Sequence, residues 1–153
     1  MKRIKPVISI LLMILILGLT GCQSGTVERT QHLTDGVFTD KYMGSVKGIT
    51  STDYEGYWWA EKVLWFEMSG KDQGYRGIIY IDETEAKRLL REYDDWGAID
   101  TPLPVMKEVD TAAVGSDEWY HSDKFTSEIS KMLQIKDLRF NGVNAIVFDV
   151  HTL

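Results

Sequence analysis

The 153-residue chain is 44% apolar and 11% aromatic, with five Trp and only three Pro. That composition excludes a disordered or low-complexity chain and supplies one modest core rather than two. A formal charge of −6 disfavours phosphate backbones, so nucleic acid is not an expected partner.

The chain opens with Lys2, Arg3 and Lys5, followed by an apolar run from Val7 to Leu19 broken only by Ser9 and Gly18. A spanning helix needs about 20 apolar residues, so a run of about 13 has the form of a secretory leader, residues 1–21. Leu19-Thr20-Gly21-Cys22 then places two small residues before the chain's single cysteine. This stretch resembles the lipobox of bacterial lipoproteins, and the resemblance covers residues 1–22 alone. It implies cleavage before Cys22, a diacylglycerol thioether on its sulfur, further acylation of the new amino group, and residence on the extracytoplasmic face of the cell membrane. In a cell with two membranes, Gln23 rather than Asp after the cysteine points to the outer one. Burial of acyl chains contributes roughly 0.8 kcal/mol per CH₂, so two or three chains anchor permanently. With Cys22 used for lipid, the remaining domain forms no disulfide. Loss of Lys2, Arg3 and Lys5 with the leader leaves 14 bases against 23 acids, a net charge of −9.

Residues 22–36 are polar beyond the lipidated cysteine and are expected to be a flexible tether, with His32 solvated in it. A single α+β domain is expected over residues 37–153. Residues 57–68 are aromatic and β-branched, and predict a strand whose even face, Trp58, Ala60, Leu64, Phe66 and Met68, meets the core. The glycine-bounded "SGKDQG" of residues 69–74 reads as a loop, with residues 75–81 returning as a second strand of a hairpin. Asp82 and Glu85 have capping-box spacing, and Ala86, Leu89, Leu90 and Tyr93 recur on one face of the helix that follows.

Residues 94–120 carry weaker signals. Pro102 and Pro104 interrupt them, and residues 105–109 have the pattern of a short strand. So long a loop within a small domain is either functional or hides an element. Residues 122–133 predict a second helix capped by Ser122 or Asp123, with Phe125, Ile129, Met132 and Leu133 as its apolar stripe. Strands over 135–140 and 143–150 flank Asn141-Gly142, a pair suited to a type I′ turn. The second of these is apolar on both faces, as a central strand is. The expected fold is an antiparallel sheet of four to five strands with two helices on one side, in the order ββα, irregular, αββ.

Catalytic patterns are weak. His121, Ser122 and Asp123 are adjacent, but neighbouring side chains point apart, and triads assemble from distant segments. His32, His121 and His151 lack ligand spacing, so no metal and no cofactor are expected. Abundant carboxylates leave a small envelope hydrolase as an alternative, and a purely structural lipoprotein as another. The favoured function is noncovalent binding at the cell envelope to a protein or a wall glycan. Its candidate residues are Trp59, Trp96, Trp119, Tyr120 and His121, aromatics of a mixed strand face and the irregular region, where exposure is expected. Trp58 is assigned to the core.

Overall fold

The computed structural model describes residues 25–63 and 66–152. The leader and Cys22 lie outside the described residues, as do Leu64 and Trp65. The chain runs through strand β1 (Gly25–Leu33), helix α1 (Val37–Tyr42), the long strands β2 (Ile49–Val63) and β3 (Phe66–Ile81), and helix α2 (Glu83–Glu92). Short strands β4 (Gly97–Ile99) and β5 (Trp119–His121), helix α3 (Asp123–Ile129), and strands β6 (Leu133–Phe140) and β7 (Ala145–Thr152) complete it. One antiparallel sheet takes the order β1-β2-β3-β7-β6-β5-β4. It therefore has seven strands among the described residues, not four or five, and three α-helices rather than two, besides short 3-10 helices at Thr111–Val114 and Ser130–Met132.

The added strands are β1, β4 and β5 and the added helix is α1, while residues 105–109, expected as a short strand, form none. Residues 25–33, expected as tether, are an edge strand paired with residues 54–62 of β2. An edge strand with half-exposed faces has no need of apolar alternation, so its sequence reads as polar coil. Even His32 is engaged, its Nε2 lying 2.6 Å from Asp53 Oδ1. The hairpin turn also lies elsewhere than expected: residues 69–74 are part of β3, and Val63 pairs with Phe66 at the hairpin end.

The glycines in this strand mark close approach rather than a turn. Tyr57 lies across Gly74, where an added Cβ would sit 2.3 Å from the ring, and Tyr54 lies across Gly77, where it would meet the Tyr54 Cβ at 2.2 Å. A tyrosine on one strand thus covers the bare backbone of a glycine opposite, which restores apolar burial that the glycine lacks. An irregularity between Trp58 and Ala60, opposite Gln73 and Ser69, breaks the simple alternation of the long hairpin. Trp58 is consequently half-buried and Met68 is 59% exposed, although both were assigned to the core.

All three helices pack on one face of the sheet. Phe38 of α1, Ala86 and Leu89 of α2, and Phe125 and Ile129 of α3 meet Tyr54, Ile79, Leu138, Phe140, Ile146 and Phe148 in one apolar cluster. Leu90, assigned to the buried stripe of α2, is exposed. Asp82 Oδ1 accepts the Glu85 amide at 2.8 Å and Ser122 Oγ accepts the Phe125 amide at 3.0 Å, which fixes where α2 and α3 begin. β7 lies between β3 and β6, with Ala145, Ile146, Val147 and Phe148 fully buried. Asn141 organises the connection before it. Its Oδ1 accepts the amides of Val143, Asn144 and Ala145, so β7 begins at Ala145 and the connection exceeds a two-residue turn.

The opposite face is covered by the segment between β4 and β5, residues 100–118. Val109 with half-buried Leu103, Met106 and Val114 packs against Ile78, Trp119, Ala145 and Val147.

Candidate functional site

On that second face a polar and aromatic network adjoins the small apolar cluster. Its centre is Glu55 of β2, a fully buried carboxylate. Glu55 Oε1 accepts from Arg76 Nε at 2.5 Å, while Oε2 accepts the amides of Lys107 and Glu108 at 2.9 and 2.6 Å. Arg76 Nη2 also donates to Glu28 Oε1 at 2.8 Å, and Lys107 Nζ approaches that oxygen at 3.1 Å. Burial opposes ionisation of Glu28, but Arg76 and Lys107 outweigh it and hold the carboxyl below its ordinary value. Four charged residues, one each from β1, β2, β3 and the 100–118 segment itself, thus lock that segment to the sheet.

Next along the strands comes Tyr57, buried, with the Arg76 guanidinium 4.5 Å from its ring centre. The Tyr57 hydroxyl donates to Asp149 Oδ1 at 2.5 Å, and His151 Nε2 lies 2.8 Å from the same hydroxyl. With the phenol proton directed to Asp149, the lone pairs of the hydroxyl oxygen face His151 Nε2. Burial first, and the Asp149 carboxylate second, push the phenol well above its ordinary range. Tyr57 is a fixed neutral post rather than a base. The approach of its ring across Gly74 makes this reach possible, since any side chain at 74 would block it.

Trp59 stands at the rim of this network. It is half-buried, meets Tyr57 edge-on at 5.4 Å and 88°, and lies 5.5 Å from the His151 ring. The exposed Lys136 places its ammonium 5.4 Å from the Trp59 ring centre and 5.7 Å from that of Tyr57. Gln134, also exposed, is the register partner of His151. A ring held from behind, half open to water and flanked by an ammonium and an imidazole, offers apolar contact together with hydrogen-bonding groups.

The structure does not bring the other expected residues to this site. Trp119 is only 6% exposed and belongs to the apolar cluster under residues 100–118, contrary to the expected exposure. Trp96 is half-buried; its Nε1 donates to the Leu89 carbonyl at 3.2 Å and its ring packs on Tyr93, Phe125 and Phe140. Tyr120, partly exposed, donates to Glu118 Oε2 at 2.8 Å. His121 Nδ1 lies 3.0 Å from the Leu138 carbonyl and Nε2 lies 3.2 Å from Asp123 Oδ1. Trp119, Tyr120 and His121 belong to β5, four strands from the β2 that carries Trp59, or about 19 Å at the usual strand spacing. Sequence reasoning missed Tyr57, Lys136, Asp149 and His151, because 92 positions separate Tyr57 from Asp149 and only the sheet register joins them.

Asp137 and Asp149 are register partners on β6 and β7. Each is already committed, Asp137 to both Nε and Nη2 of Arg139 at 2.7 and 2.6 Å and Asp149 to Tyr57. Among the described residues no group of three or more His, Cys, Asp or Glu is arranged to hold a metal ion. Site and fold together define an antiparallel sheet protein with a helical back and an aromatic, ion-paired front. No protein-family model, curated protein or solved structure matches the chain.

Proposed function

We propose that this chain is a lipid-anchored envelope protein that acts by noncovalent binding, through the patch centred on Trp59, to a wall glycan or a protein at the cell surface. The observation that carries the reading is a half-open Trp59 ring, backed by Tyr57 and flanked by Lys136 and His151. Such a ring gives broad contact at low conformational cost, and its polar neighbours supply direction. The committed state of Asp137, Asp149 and Tyr57 favours binding over hydrolysis. The basic start, apolar run and Leu19-Thr20-Gly21-Cys22 sequence support the anchor and the extracytoplasmic placement.

Trp59→Ala tests the reading. Removal of a half-buried rim ring should leave the fold and melting temperature nearly unchanged, and should weaken binding at least about tenfold. Co-sedimentation with purified wall glycan and crosslinking in intact envelopes provide the two readouts. Equal retention of wild type and variant in both would sink the assignment. Cys22→Ala tests the anchor separately: the variant should neither incorporate labelled lipid nor sediment with membranes.

A further inference from the structure

We infer that the free end of the β1–β2–β3 hairpin rests against the bilayer that holds the lipid of Cys22, so that the sheet stands on its membrane in one fixed orientation. This rests on the lipid anchor proposed above. The geometry comes from the register. β7 pairs with β3 only from Gly74 to Tyr80, so residues 66–73 of β3 have β2 as their sole strand partner among the described residues. β1 accompanies β2 along the same stretch, down to Gly25 opposite Lys62. The result is a three-stranded arm that projects about 20 Å beyond the level of Tyr57, at ~3.3 Å per residue to Val63.

The arm ends where the anchor begins. Gly25 pairs with Lys62, Lys62 with Glu67, and Val63 with Phe66, so the start of β1 and the hairpin end share one level. Cys22 precedes Gly25 by three residues, which span at most about 11 Å. A lipid on Cys22 therefore brings the hairpin end to the bilayer surface, because residues 25–33 are strand and supply no slack.

The surface of the arm suits that placement. Residues 25–29, 58–63 and 66–73 contain three bases and four acids, a net charge of −1, whereas the whole chain after the leader carries −9. Arg29 and Glu67 neutralise each other across the arm through two hydrogen bonds of 2.7 and 3.0 Å. Met68 is 59% exposed near the end and Lys62 is exposed beside it. An anionic bilayer repels the acidic body and tolerates the near-neutral arm, so electrostatics and chain length favour the same orientation.

The test uses the full lipidated chain. Its only thiol is consumed by lipid, so Met68→Cys and Val143→Cys each create a single labelling site, one on the arm and one, 65% exposed, in the connection at the far end of the sheet. Each variant carries a thiol-reactive fluorophore and is reconstituted into phosphatidylethanolamine–phosphatidylglycerol vesicles, with aqueous iodide as quencher. The label at 68 should be quenched at least about threefold less than the label at 143. Equal quenching of both labels on protein that floats with the vesicles overturns the orientation and leaves the anchor intact. Labelling of the unsubstituted chain, together with failure to float, overturns the anchor and the orientation with it.

Discussion

The helix-covered face of the sheet is built on Phe38, Tyr54, Leu89 and Phe148, whereas the opposite face is organised by Glu55, Arg76 and Tyr57. The difference follows from what covers each face. A helix satisfies its own backbone, so the sheet beneath it has to supply only apolar surface. The irregular segment over residues 100–118 arrives with amides at Lys107 and Glu108 that no strand pairs, and an apolar sheet could not accept them. Glu55 does so; its burial then demands a cation, and Arg76 provides one. Covering a sheet with irregular chain therefore draws charge into the interior, and the aromatic rim at Trp59 borders that charged zone.

The largest effect is expected on the dry face. Phe148 is fully buried and stacks on Phe38 at 5.0 Å and 8°, so Phe148→Ala should destabilise the domain by about 3–5 kcal/mol in chemical denaturation. A loss below about 1 kcal/mol would mean that the helical face is not the main core. Glu55→Gln should cost about 3 kcal/mol, since it leaves a buried guanidinium short of its partner. Its signature is local: amide exchange at Lys107 and Glu108 should accelerate well before that of α2. Uniform acceleration across both faces would break the distinction drawn between them.

A smaller, pH-dependent effect sharpens the comparison from the helical side. Glu85 is the buried carboxylate there, accepting the Lys47 amide at 2.7 Å and Arg88 Nε at 2.7 Å. Burial raises its pKa, but Arg88 and the Lys47 amide outweigh that and hold it below the ordinary 4.5. A carboxylate lowered on folding stabilises fully above that ordinary value, and its contribution disappears as pH falls through the lowered one. Glu85→Gln should therefore cost about 1–2 kcal/mol at neutral pH and converge on wild type in acid. Curves that stay parallel from pH 7 to pH 3 would contradict this origin.

Local chemistry was readable without coordinates. The Asp82 and Ser122 caps, the burial of Ala86, Leu89 and Tyr93 and of Phe125 and Ile129, and the two-sided apolar strand that became β7 depend on residues within a few positions of one another, whereas Leu90 is exposed and Leu133, expected in the second helix, begins β6. The edge strand β1 was not readable, because pairing along one side leaves little trace in its side chains. Gly70 and Gly74 misled for a related reason: glycine marks a turn and a close backbone approach with the same letter, and only the tyrosine opposite distinguishes them. Trp119 looked like a binding residue because the segment before it lacks periodicity, yet that segment is its cover.

By itself the sequence determined the starts of α2 and α3, the central strand, the acidic balance and the lipobox-like stretch, all of them set by covalent order and short-range periodicity. Tertiary structure decided the seven-strand order, the burial of Trp119, the meeting of Tyr57 with Asp149 and His151, and the alignment of Gly25 with the hairpin end. These depend on register between strands far apart in the chain, where the cost of closing each loop is offset only by contacts that the sequence does not display.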